Sequence, residues 1–295
     1  MIITGKKFSK PEMSRVINGD RTLSDAPEKP ELFRLDRLLV ERFSDFNRSS
    51  LQTFIKSGFV VVDGEVAKKP NQKFEKDIKI ELNLPKTEKK SPKMKTIFED
   101  ENVLVLEKPA GLLSMAKGEY CPEPTLEDFG LLVHRLDRDT SGVVILAKNE
   151  ETRKMLRKQF QDRKTHKTYY AVVEGRPKLD KAVIDLPIAR NLKHPTTFQV
   201  DPNGKPAKTN YQVLETNDKF SLLELRPESG RTHQLRVHLK YIGTPILGDP
   251  VYGSGKKAKR LYLHASKLEI TIPGTLNNER KTFVSELPAE FKDVF

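Results

Sequence analysis

The sequence predicts an α+β protein in two units, a small one over residues 31–84 and a larger mixed domain over residues 97–295. Three observations carry that expectation. Apolar residues in both segments switch between helical spacing and short, strand-sized runs. Between the segments lies a basic linker, residues 85–96; Pro85 to Lys95 holds five Lys, one Glu and two Pro, and charge repulsion with proline keeps such a stretch extended. The composition, 36% hydrophobic with 15 Phe in 295 residues, is enough for a core and excludes general disorder.

In chain order, residues 1–30 lack a sustained apolar period and carry Pro11, Pro27 and Pro30, so a mobile tail is expected. Leu35, Leu38, Leu39 and Phe43 then share one helical face. Ser49 precedes Gln52 at capping-box spacing and opens a second short helix with Leu51, Phe54 and Ile55, which Gly58 is placed to end. Phe59 to Val62, the turn Asp63-Gly64, and Glu65-Val66 read as a tight hairpin, and Ile78, Ile80 and Leu82 alternate as a further strand. In the larger domain, strand-like runs recur at Val103–Leu106, Val143–Ala147, Tyr169–Val173 and Leu222–Leu225. A helix from Glu150 to Arg163 presents Met155, Leu156 and Phe160, and another carries Leu235, Leu239 and Ile242 behind Thr232 as its N-cap.

The charge narrows the function classes. Lys and Arg outnumber Asp and Glu by 53 to 41, a net charge of +12 that suits a polyanionic partner. Cys121 is the single cysteine, which excludes a disulfide framework and a cysteine-based zinc site. The longest apolar stretches, such as Val143 to Ala147, are strand-sized, and Met1-Ile2-Ile3 is too short for a signal-peptide core. The expectation is a soluble, cytoplasmic, monomeric protein. There is no GxGxxG opening a helix, no GxxxxGK[ST] loop and no HExxH. His233 and His238 stand five apart, on different helical faces, so they make no metal pair. A site without metal or cofactor is therefore expected.

Two polar clusters stand out. His134-Arg135-Leu136-Asp137-Arg138-Asp139-Thr140-Ser141-Gly142 precedes an apolar strand, and its Asp, Thr, Ser and Gly residues suit a loop. A polar turn with surface ion pairs accounts for that spacing; so does an Asp137 held ionised between arginines for nucleophilic or base chemistry. Gly230-Arg231-Thr232-His233-Gln234-Leu235-Arg236-Val237-His238 reads, by itself, as an ordinary basic helix.

Taken together these segments resemble the RluA-type pseudouridine synthases. The likeness extends to Gly248-Asp249-Pro250-Val251-Tyr252-Gly253, Glu107-Lys108-Pro109-Ala110-Gly111-Leu112, Lys167-Thr168-Tyr169 and Leu261-Tyr262-Leu263-His264-Ala265, in family order from about residue 97 to the C-terminus. Residues 31–84 are similar to the S4 RNA-binding domain. The stretch from Gly111 to His134 is shorter than the family pattern, and residues 1–30 have no counterpart in it.

The resemblance implies a mixed, mostly antiparallel sheet and a cofactor-free isomerisation of uridine to pseudouridine in RNA. Asp137 matches the essential aspartate, acting as nucleophile or as base. Arg231 matches the arginine that pairs with it, Tyr169 the tyrosine that packs on the target base, Arg135 the arginine that fills the vacated stack, and Leu263 an apolar pocket position. Arg34, Arg37, Arg48 and Lys56 in the front unit are expected to contact RNA. Arg153, Lys154, Arg157, Lys158, Arg163, Lys164 and Lys167 would add to the sequence-independent part of binding. Ribosomal RNA is favoured by the S4-like unit, with transfer RNA open. A non-catalytic RNA-binding or ribosome-assembly factor on the same fold is the alternative class. The presence of Asp137, Arg231 and Tyr169 argues for the enzyme.

Overall fold

The computed structural model describes residues 31–85, 91–116, 121–255, 258–274 and 277–295. The tail expected over 1–30 and the linker residues 86–90 lie outside them. Residues 31–85 belong to one compact unit, and residues 91–115 and 123–295 to a second.

The first unit runs β1 (Phe33–Arg34), α1 (Leu35–Arg42), α2 (Arg48–Lys56), β2 (Val60–Val62), β3 (Glu65–Val66), β4 (Lys73–Phe74) and β5 (Ile80–Leu82). The order β3-β2-β5 makes a small antiparallel sheet, and β1 pairs with β4. The hairpin expected at Asp63-Gly64 is present, with both residues at positive φ (49° and 87°), the backbone that a two-residue primed turn requires. Leu35, Leu38, Leu39, Leu51, Ile55, Val60 and Leu82 are buried as its core.

The α2 cap differs from expectation. Asn47 starts the helix, its side chain accepting the Ser50 N–H at 3.0 Å, so Ser49 lies inside the first turn. Gln52 makes no box. Its Nε2 donates instead to Asp36 Oδ2 at 2.7 Å, because Asp36 is a fully buried carboxylate that needs donors.

Arg34 and Arg48 complete that demand, at 3.0 and 2.9 Å. Hydrogen bonds from Arg34 outweigh burial and, with those of Arg48 and Gln52, hold the Asp36 carboxyl far below the usual carboxylate range. A group whose pKa falls on folding stabilises the fold above its unfolded pKa and loses that contribution as pH drops. Asp36→Asn is therefore expected to cost the first unit about 1–3 kcal/mol at pH 7. That gap closes as pH falls below about 4. Hydrogen exchange of the α1 amides across pH measures it; a gap independent of pH would refute the ionic account.

The second unit contains β6 (Lys95–Glu99), β7 (Val103–Lys108), β8 (Leu131–Leu132), β9 (Ser141–Ala147), α3 (Glu150–Gln161), β10 (His166–Glu174) and β11 (Lys181–Asp185). It continues with β12 (Ile188–Arg190), β13 (Phe198–Val200), β14 (Lys208–Thr216), β15 (Phe220–Pro227), α4 (Gln234–Tyr241), β16 (Leu263–Ile272) and β17 (Glu279–Val284). Among the described residues one sheet runs β11-β14-β15-β10-β16-β9-β7-β6, with β8 added on β9 and β17 on β16. Its pairings are antiparallel except β9 with β16, which is parallel. The expected mixed, mostly antiparallel sheet is thus observed. β6 starts two residues inside the stretch expected as linker.

Helix α3 is capped by Asn149, which accepts the Thr152 N–H, and carries Glu150 and Glu151 in its first turn. It stops at Gln161, short of the expected Arg163, whose backbone is left-handed (φ 57°). Leu156 packs with Val143, Ile145 and Ile270 of the sheet. Helix α4 sends Leu235 and Leu239 against Ala171, Val173 and Leu223. Its expected cap fails: the helix begins at Gln234, not behind Thr232. No side chain caps the helix; the Gln234 side chain instead ties down the preceding loop, Oε1 accepting the Arg231 N–H at 3.0 Å and the Ser229 hydroxyl at 2.8 Å.

The parallel match of β9 and β16 covers only His264–Ser141 and Ala265–Gly142. Gly142 sits at φ 118°, and a Cβ there would lie 2.1 Å from the Ala265 carbonyl oxygen. Gly142→Ala must therefore part the two central strands. A loss of about 3 kcal/mol or more in urea unfolding is expected; an unchanged midpoint would show that the strands yield freely.

Candidate active site

Asp137 lies in the loop that enters β9, directly beside this junction. The segment after β7 cradles the loop. Ser114 Oγ donates to the Leu136 carbonyl at 2.7 Å and accepts its N–H, and the Gly111 N–H donates to the Arg138 carbonyl. Lys108, fully buried, donates from Nζ to the carbonyls of Pro109, Arg138 and Thr140 at 2.8–2.9 Å. Burial pushes its ammonium down to about 7, against the pull of Asp139 and Asp137. The loop itself turns through the Thr140 N–H donating to the Asp137 carbonyl.

A pocket of about 460 Å³ opens over this loop. Asp137, Arg135, Tyr169, Arg231 and Leu263 all line it, together with His134, Lys167, His233 and Arg236. The five residues singled out for catalysis and base binding therefore share one cavity. Tyr169 stands on β10, just past a register shift at Thr168, and burial with the nearby Asp137 charge keeps its hydroxyl protonated by pushing its pKa up. Leu263, on β16, is buried. Arg135 is exposed at the rim, its Nη1 3.5 Å from Met115 Sδ. His134 stacks on Phe160 at 4.5 Å and accepts the Ile145 N–H; burial pushes it down to about 3, so it is a neutral structural ring. Burial likewise pushes Lys167 down to about 8.

One assignment needs correction. Arg231 does not pair with Asp137; its Nε donates to the Pro206 carbonyl at 3.1 Å. The partner is Arg236, whose Nη1 donates to Asp137 Oδ2 at 3.1 Å. Arg236 is buried in α4 and fixed from behind by Asp249, which accepts from Nε at 2.7 Å and from Nη2 at 2.9 Å. Burial opposes the Arg236 charge, but Asp249 and then Asp137 outweigh it and raise its pKa. Asp249 also accepts the N–H groups of Val251 and Tyr252.

The cations divide differently from expectation. Arg34 and Arg48 are committed to Asp36, with about half of each side chain still exposed, whereas Arg37 and Lys56 are exposed. Lys154, Arg157, Lys158 and Lys164 are exposed, but Arg153 is held by Glu150 and the Leu132 carbonyl, and Lys167 is inside the pocket. Among the described residues no three His, Cys, Asp or Glu side chains are placed to hold a metal ion, and no helix is long and apolar enough to cross a membrane.

A ten-stranded, mostly antiparallel sheet with an aspartate loop at its centre is the framework of an RNA-modifying isomerase, and comparison with known proteins agrees. The RNA pseudouridylate synthase family model matches residues 102–241, and the S4 domain model residues 33–77. An uncharacterized RNA pseudouridine synthase of Aquifex aeolicus is 35% identical over 292 residues, covering 89% of this chain and 92% of its own. Ribosomal large subunit pseudouridine synthase D of Borreliella burgdorferi is 36% identical over 293 residues, 89% of each chain. The solved human RNA pseudouridylate synthase domain containing 1 superposes with a TM-score of 0.57 at 27% identity, over 66% of this chain and 83% of that one. The chain belongs to the RNA pseudouridine synthase family, with an S4 domain ahead of the catalytic domain.

Proposed function

We propose that this pseudouridine synthase acts on ribosomal RNA and that Asp137 is its reacting carboxylate. The observation that carries the reading is the Asp137–Arg236–Asp249 chain at the base of the pocket: a carboxylate open to a ligand, held by a guanidinium that is itself immobilised. The reaction moves uracil from N1 to C5 attachment with no net change in atoms or oxidation state, so it requires no cofactor. Tyr169 is suited to stack on the base, Leu263 to close the pocket, and Arg135 at the rim to fill the space a flipped uridine leaves. The exposed Arg37, Lys56, Lys154, Arg157 and Lys158 supply phosphate contacts. Relatives named as ribosomal large subunit pseudouridine synthase D favour ribosomal over transfer RNA. An RNA substrate and a lone cysteine support a cytoplasmic setting.

The test is to map pseudouridines in total RNA from cells with and without the gene. Loss of one or more ribosomal sites is expected, restored by wild type and not by Asp137→Asn. Loss confined to transfer RNA would overturn the ribosomal assignment.

A further inference from the structure

Arg236 is not alone in facing Asp137 Oδ2. His233 Nε2 lies 3.9 Å from the same oxygen, and both side chains are largely buried, with 19% and 18% of their surface exposed. Among the described residues Oδ1 has no side-chain partner. On its other edge His233 Nδ1 is 2.8 Å from the Tyr252 hydroxyl, which in turn accepts the Phe198 N–H at 2.8 Å. Tyr252 sits under the Arg236 guanidinium, 5.1 Å from ring centre to Cζ, and its own N–H donates to Asp249. The contacts close a ring: Asp137, Arg236, Asp249, Tyr252, His233 and back to Asp137.

We propose that His233 is a positioning residue for Asp137: Tyr252 fixes its imidazole in the tautomer whose Nε2–H points at Oδ2, which makes Oδ2 the anchored oxygen and Oδ1 the reacting one. The inference rests on Asp137 being the catalytic carboxylate. The tautomer follows from proton counting. The Tyr252 oxygen already accepts from Phe198, and the acceptor within reach of its own proton is His233 Nδ1. A neutral imidazole accepting at Nδ1 carries its proton on Nε2. The surroundings agree: burial lowers the His233 pKa, Asp137 and Asp249 pull it up, and Arg236 and Arg135 add to the lowering.

A neutral N–H is suited to this task, since it orients the carboxylate without cancelling its charge. At 3.9 Å the contact is open, and a carboxylate shift of about 1 Å on substrate entry closes it. The backbone supports a specific purpose. His233 is one of three non-glycine residues at positive φ among those described (φ 57°, ψ 19°), a conformation that costs about 1 kcal/mol and persists where neighbours enforce it. Edge contacts at 5.5 Å to Phe198 and Tyr252 do so.

The experiment uses the full-length enzyme and a large-subunit ribosomal RNA transcript labelled with tritium at uridine C5. It measures single-turnover release at saturating RNA and Kd by filter binding. His233→Asn tolerates the left-handed backbone but is too short to reach Oδ2, and about a hundredfold slower chemistry with Kd within threefold is expected. His233→Gln, whose amide N–H extends as far as Nε2, is expected to recover at least tenfold of that loss. Tyr252→Phe slows the wild type about tenfold and adds nothing to His233→Asn, because both remove the same arm. A His233→Asn rate within threefold of wild type overturns the proposal, as does an equal loss in Asn and Gln variants, or a loss found only in Kd. Full activity of Asp137→Asn would instead overturn the reading of Asp137. An inactive Asp137→Asn beside a normal His233→Asn removes only the role given to His233.

Discussion

Asp137→Asn loses at least about ten-thousandfold in single-turnover rate while RNA affinity stays within a few-fold of wild type. The amide keeps the shape and one acceptor, so Arg236 Nη1 retains an oxygen to bind and the loop retains its support from Lys108, Gly111 and Ser114. What disappears is the negative charge that either attack on the sugar or removal of a sugar proton requires. RNA binding, which we propose rests on exposed cations elsewhere, is not expected to follow. Tritium release on ribosomal RNA decides the matter: near-normal turnover by Asp137→Asn would sink the assignment.

Arg236→Met has the second-largest effect, and it acts on fold and chemistry together. Asp249 is fully buried and takes two of its hydrogen bonds from this one guanidinium. Methionine keeps much of the length but leaves that carboxylate uncompensated, a cost of about 3–5 kcal/mol. Activity falls by about a thousandfold or more in whatever fraction stays folded, since Asp137 loses its fixed partner. Arg236→Lys keeps the charge without the two-pronged geometry and should be intermediate in both measurements. Arg231→Met is the control. It removes a contact to the Pro206 carbonyl, so an effect below about tenfold, recovered at low salt, is expected. Equal damage from Arg231→Met and Arg236→Met would contradict the pairing.

The contrast between these two arginines shows where the sequence is informative. Short-range structure was legible: Asp63-Gly64 specified its hairpin, the alternation at Ile80 and Leu82 its strand, and the apolar run from Val143 the central strand β9. The membership of the pocket was legible too, because long motifs carried Asp137, Arg135, Tyr169 and Leu263 to one place. Which arginine meets the aspartate was not. Arg231 and Arg236 stand five apart in one motif, and the choice is made by Asp249, thirteen residues further on, across a turn that spacing does not describe. The same holds for caps. Ser49 and Thr232 offered plausible side chains, but Asn47 caps α2 and no side chain caps α4, which starts behind the left-handed His233. Lys108 belonged to a recognisable motif, yet two of its three carbonyl contacts depend on a loop about thirty residues away.

The parallel seam between β9 and β16 has a consequence in time. It joins Ser141 to His264 and Gly142 to Ala265, so the strand that follows the Asp137 loop gains this neighbour only after more than a hundred further residues have been made. At ~5–20 residues per second a ribosome needs roughly 6–25 s to supply them. Until then β9 can pair with β7 along one edge and with β8 at Leu146 and Ala147 of the other, both encoded upstream, but the Ser141–Gly142 end of that second edge lacks its partner. Arg236 and Asp249 also arrive late, in the same final third of the chain. A nascent polypeptide therefore carries Asp137, the carboxylate proposed to react, through about a hundred further residues of synthesis before Arg236 and Asp249 exist to hold it. Such an order postpones the assembly of the Asp137–Arg236–Asp249 contacts until the final third of the chain is being made.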